Sequence, residues 1–126
     1  MTRWLGRYSE VAYLLLRVVA GLLFAQHGAQ KLFGALGGQG VPLFSIFGLA
    51  GVIELGGGVM IALGVFAGWA AFVCAGEMAV AYFWKHAPGG IWPVVNRGEL
   101  AVMYCFVFLY IAARGGGRWE LTAKSG

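Results

Sequence analysis

Four long apolar stretches alternate with short breaks rich in glycine, proline and charge. The first runs from about Val11 to Phe33 and ends in a glycine-rich segment, Gly34 to Gly40. The second, about Ser45 to Leu63, ends at a tight turn near Gly64 to Gly68. The third, about Trp69 to His86, stops before Pro88-Gly89-Gly90, and the fourth, about Gly98 to Arg114, stops at Gly115-Gly116-Gly117. Each stretch approaches the roughly 20 residues that a helix needs to cross a ~30 Å hydrocarbon layer. Breaks this short make neighbouring helices antiparallel. The pattern therefore predicts an all-α fold, an integral membrane antiparallel four-helix bundle. It forms one transmembrane domain over 1–126, with spans at about 11–33, 45–63, 69–86 and 98–114.

Composition agrees with that solvent. Of 126 residues, 60% are hydrophobic and 11% charged, with a mean hydropathy of +0.79. Soluble domains carry about 25% charged residues, and a chain this short cannot hide so much apolar surface in one core. A soluble enzyme, a disordered tail and a disulfide-stapled module are excluded on these grounds. Cys74 and Cys105 form no C-x-x-C, so neither a redox dithiol nor a zinc-ligand spacing is present, and no metal is expected. The net charge of +4 comes from singly scattered basic residues rather than a patch, which argues against nucleic acid.

The basic residues also set a topology. Met1 to Arg7 resembles the basic region of a signal peptide, but the apolar run that follows is long and carries Arg17 within it, so it reads as a retained span. Arg3, Arg7, Arg114, Arg118 and Lys124 share the side of the termini; Lys31, Lys85 and Arg97 share the other. The excess predicts both termini in the cytoplasm. Trp4, Trp69 and Trp119 then mark the inner interface and Trp84 and Trp92 the outer one, as an aromatic belt requires. Gly51, Gly56, Gly57, Gly58, Ala71, Ala75 and Ala79 suit close helix contact.

The informative residues are those an apolar medium should exclude. Arg17, Glu54 and Glu77 count to mid-span at 1.5 Å of rise per residue. A charge there costs about 3 kcal/mol on insertion scales, so such residues face inward and pair. One reading is an interhelical ion pair that fixes packing; the other is a proton-handling or electron-coupled site. One arginine cannot neutralise two carboxylates. The second carboxyl must carry a proton, share one, or meet a partner's cation. A second polar group closes span one: His27 and Lys31 fall within about 80° of Arg17 on the helix, while Gln26 points away. Lys85, His86 and Glu99 are expected at the same level. His27 is a candidate ligand or proton carrier; His86, beside Pro88, reads as a loop residue. Paired axial histidines for a haem have no other support. Phosphate loops, nucleophile motifs and dinucleotide fingerprints are absent from the sequence.

Together these residues resemble the DoxX family. Arg17-x3-Gly21-x2-Phe24-x2-His27-Gly28-x2-Lys31-Leu32-Phe33 is similar to its first-span signature. Gly51-x2-Glu54-x-Gly56-Gly57-Gly58, then Leu63-Gly64, resembles its second. Glu77-Met78-x2-Ala81 with His86 resembles its third, and Glu99 with Gly115-Gly116-Gly117-Arg118-Trp119 its fourth and exit. The family's tail often places an acid after a Trp-Ser-Leu; this chain has Trp119-Glu120-Leu121-Thr122, where Glu120 is the available substitute.

The resemblance implies a small four-helix protein of a bacterial-type inner membrane, some relatives being similar to the small membrane subunit of thiosulfate:quinone oxidoreductase. It points to Arg17, His27, Lys31, Glu54, Glu77 and Glu99. The leading expectation is a quinone-interacting membrane subunit of a redox complex. Glu54, Glu77 and His27 would handle protons, and Arg17, His27, Lys31 and Glu99 would contact ligand. Electrons would come from a partner redox enzyme, because this chain has no evident redox centre. The chain would thus be an accessory subunit rather than an enzyme alone. The alternatives are a membrane anchor or scaffold for an oxidoreductase, and a small proton-coupled transporter, which would need a homo-oligomer.

Overall fold

The computed structural model describes residues 2–122, with side chains from Trp4 onward; Lys124, used above for topology, lies outside them. Among the described residues the regular structure is all helical, with no strand. Helix α1 is Gly6–Phe33, α2 Ile46–Leu63, and α3 Ala67–Gly89. Helix α4 is Glu99–Arg114. The first three have the length and apolarity to cross a membrane. Helix α4 has 16 residues, about 24 Å at 1.5 Å per residue, short of a ~30 Å hydrocarbon layer.

The ends follow local chemistry. Gly34, at φ +66°, closes α1 by donating its N–H to the Gln30 carbonyl at 3.1 Å. That left-handed turn is open to glycine at little steric cost. Ser45 opens α2 with a side-chain cap: its Oγ accepts from the Gly48 N–H at 3.1 Å and donates to the Pro42 carbonyl at 2.6 Å. Gly64, at φ +78°, ends α2.

Helices α1 and α2 pack through bare backbone. A methyl group on Gly21 would fall 2.5 Å from the Gly58 carbonyl oxygen, and one on Gly58 would fall 2.5 Å from that of Gly21. Gly28 stands equally close to Gly51 and Leu55. Positions 21 and 58, then 28 and 51–55, run in opposite senses, so the two helices are antiparallel. Helices α3 and α4 pack along their lengths, with Ala71, Cys74, Phe108 and Ile111 fully buried. The Phe24 ring of α1 packs against the stacked Tyr104 and Phe108 rings of α4, at centroid distances of 5.1 and 4.7 Å.

Two departures from regular helix matter. Ile53–Gly57 of α2 and Tyr82–His86 of α3 are π-helical turns. The first contains Glu54 and runs into the Gly56-Gly57-Gly58 triplet, whose weak helix preference tolerates the wider turn. Cys74 lies against it, its Sγ 3.9 Å from the Ile53 carbonyl. Large apolar side chains such as Leu15, Leu22, Leu49, Phe72, Val80 and Phe106 point outward from all four helices. All five tryptophans are exposed. Water would not tolerate such a surface, but lipid does, and the helices contact it directly.

The α1–α2 contact is testable. Gly28→Val should lower stability in detergent by about 2 kcal/mol through overpacking. Gly56→Ala, whose methyl would meet open space, should raise it by up to about 1 kcal/mol. Thermal unfolding of the purified variants measures both.

Candidate functional site

The α1–α2 register decides which charges meet. With Gly28 against Gly51 and Leu55, Lys31 at the end of α1 lies over the π turn of α2. Its Nζ reaches Glu54 Oε2 at 2.5 Å. Glu54 is 1% exposed while the Lys31 side chain remains 31% exposed, so the ammonium brings charge from the edge to a carboxylate that has left solvent. Glu77 of α3 lies beside Glu54. Each carboxyl has an Oε1 that is buried and without a hydrogen-bond partner among the described residues. Tyr104 of α4 is buried nearby, and His27 meets it edge-on, with ring centroids 6.2 Å apart. The structure thus gathers Lys31, Glu54 and Glu77, with His27 one aromatic ring away.

Lys31 and Glu77 also line a cleft of about 260 Å³ between α2 and α3, walled by apolar residues that include Phe47, Ile53 and Trp84. Lys85 stands at this cleft, its Nζ 4.3 Å from the centre of the Phe47 ring. Glu54 is buried behind it. An ammonium and a carboxyl open to an apolar cavity can hydrogen-bond a lipid-soluble carbonyl or hydroxyl compound, or exchange a proton with it.

Arg17 belongs elsewhere, which corrects the expectation that it pairs with Glu54 or Glu77 at mid-depth. Gly21 faces Gly58 and Ala62, so Arg17, one turn earlier, is level with the end of α2 rather than its middle. Counting along single spans assumes level helices, and α1 extends past the ends of its neighbours. Arg17 is 2% exposed and donates to the carbonyls of Ala62, at 3.3 Å, and Gly116. The first is a last-turn carbonyl of α2; the second follows the end of α4. Helix C-termini carry about half a negative charge each, which favours a buried cation there. Glu120 adds its charge from the segment after α4. That segment is tied down by Tyr13, whose hydroxyl donates to Gly115 O at 2.5 Å, and by the Leu121 N–H, 3.0 Å from Gly64 O. Glu10 and Arg114 form an ion pair at the same end.

Glu99 is exposed in the first turn of α4 and does not join the cluster. His86 lies 3.2 Å from the Asn96 carbonyl through Nδ1. Asn96 holds its loop by donating to Gly90 O at 2.8 Å and to the Tyr82 hydroxyl at 3.1 Å. Sequence reasoning missed Tyr104 and Asn96. A tyrosine on an apolar helix resembles any core aromatic, and an asparagine in a loop gives no sign of its partners.

An apolar helical surface enclosing paired charges defines an integral membrane protein with a polar site in its interior. The DoxX family profile matches residues 12–87, which hold Arg17, His27, Lys31, Glu54 and Glu77. A protein of Haemophilus influenzae carrying the name "Uncharacterized protein" is 36% identical over 130 residues, covering 95% of each chain. No solved structure matches. The chain belongs to the DoxX family.

The two charge clusters should respond differently to substitution. Lys31→Met strands Glu54 and should destabilise the protein by about 3 kcal/mol, most of which Glu54→Gln restores in the double variant. Arg17→Lys should still lose about 2 kcal/mol, because an ammonium cannot span both carbonyls as a planar fork does. Glu120→Gln should lose less than about 1 kcal/mol, since carbonyls hold Arg17 directly. Unfolding midpoints in detergent read all of them.

Proposed function

We propose that the protein is a four-span antiparallel bundle of a bacterial-type inner membrane. Both termini are cytoplasmic, and it serves as the quinone-interacting membrane subunit of a redox complex. The observation that carries this reading is the apolar cleft into which Lys31 and Glu77 open, with Glu54 buried behind them. In this topology the cleft lies in the outer half of the membrane, opposite the termini.

A quinone is apolar enough to reach such a cleft from the bilayer and becomes a quinol by taking up two electrons and two protons. The chain's own residues supply the proton side. One ammonium balances one carboxylate, so the Glu54–Glu77 pair is neutral with Lys31 when it holds a single proton. In this reading the proton sits where Glu77 meets the cleft, and Lys31, which is part-exposed and lines the cleft, links the pair to the edge of the helices. Electrons come from a partner oxidoreductase. The Arg17 cluster, which binds backbone carbonyls, serves packing.

The test is quinone content by mass spectrometry of protein purified in mild detergent. The wild type should carry near-stoichiometric quinone, Glu77→Gln should lose most of it, and His27→Ala, which lies off the cleft, should keep it. A wild type without quinone contradicts the reading and leaves a membrane scaffold for a partner enzyme.

A further inference from the structure

The cleft has one wall that is not a side chain. Gly76 lines it, is exposed, and a Cβ built there meets nothing within 4 Å. Its neighbours on the same face of α3 are Val73 and Val80, one turn away on either side, and both line the cleft. Glu77 follows directly in sequence. A glycine in the interior of an apolar helix weakens that helix by about 1 kcal/mol relative to alanine. Close packing accounts for Gly21, Gly28 and Gly58, which touch neighbouring backbone. Gly76 touches none, so packing does not explain it.

We propose that Gly76 sets the width of the cleft. Its bare backbone forms a flat floor between Val73 and Val80 on which a planar ring lies, with its oxygen atoms reaching Glu77 and Lys31. This deepens the quinone reading and rests on it: the ligand is a flat, carbonyl-bearing ring that enters sideways from the bilayer. Entry is lateral because Leu49, Val73, Val80 and Trp84, at the cleft, are each more than half exposed on the lipid-facing surface. A side chain at position 76 projects into the space the ring occupies and displaces it while leaving the helix contacts intact. Gly76 is therefore a specificity-determining position that touches ligand through its main chain alone.

The experiment compares decylubiquinone binding to the purified full chain, in nanodiscs, for the wild type and the series Gly76→Ala, Gly76→Val and Gly76→Leu. Gly56 provides the control, since a Cβ there also meets nothing within 4 Å and it does not line the cleft. Graded weakening is expected, about threefold for alanine and about a hundredfold for leucine, with unchanged or higher unfolding midpoints; Gly56→Leu should bind within about twofold of wild type. Wild-type affinity in Gly76→Leu overturns the inference and leaves the quinone reading in place. Equal losses in Gly56→Leu and Gly76→Leu overturn it too, since the loss would then be a general effect of bulk on the helices. A wild type that fails to bind overturns the quinone reading itself.

Discussion

A carboxylate enclosed by apolar helices must be neutralised from a neighbouring helix, and here the neutralising group is the Lys31 ammonium, 2.5 Å from Glu54. Much of the architecture serves that contact. Lys31 reaches Glu54 because α1 and α2 run antiparallel with Gly28 against Gly51 and Leu55. Glycines at those positions let the backbones approach without a side chain between them. The π turn at Ile53–Gly57 adds a residue to the helix at the point where Glu54 leaves it. Glu77 then comes in from α3 beside Glu54, at the wall of a cleft that Lys31 also lines.

The opposite end solves a different electrostatic problem. Arg17 is as buried as Glu54, yet its direct partners are main-chain carbonyls rather than a carboxylate. A planar guanidinium with several donors suits that task, because it can join the last turn of α2 to the segment beyond α4 at once. The resulting clasp closes the helix ends with Tyr13, Gly64, Glu120 and the Gly115–Gly117 turn. The two charge groups thus differ in their surroundings. Arg17 sits among helix-end carbonyls, while Lys31 and Glu77 line an apolar cleft.

The helices and their apolar surface were legible in the sequence because hydrophobic run length and glycine breaks report the solvent directly. Arg17, Glu54, Glu77 and Lys31 were legible as suspects for the same reason: a charge in an apolar run needs a partner. Their pairing was not. Depth counted along one helix says nothing of how far that helix is offset from its neighbour, and the offset is set by backbone contacts at Gly21, Gly28 and Gly58. His27 was placed on the right face of α1 but meets an aromatic ring, Tyr104, rather than a charge. Glu99 was grouped with the outer cluster by level and by the family resemblance, and its exposure shows that a shared level does not imply a shared face. Neither π turn could be read from composition, since Gly56-Gly57-Gly58 suits close packing equally well.

The DoxX match extends over the three helices that build the Lys31–Glu54–Glu77 group, in which Lys31 is the partner of Glu54. Solid-state NMR in lipid bilayers measures this most directly, through the dipolar coupling between ¹⁵N at Lys31 Nζ and ¹³C at the Glu54 carboxyl. A strong coupling is expected between these nuclei, and none between Glu54 and the Arg17 guanidinium. A coupling of Glu54 to Arg17 with none to Lys31 would contradict this pairing.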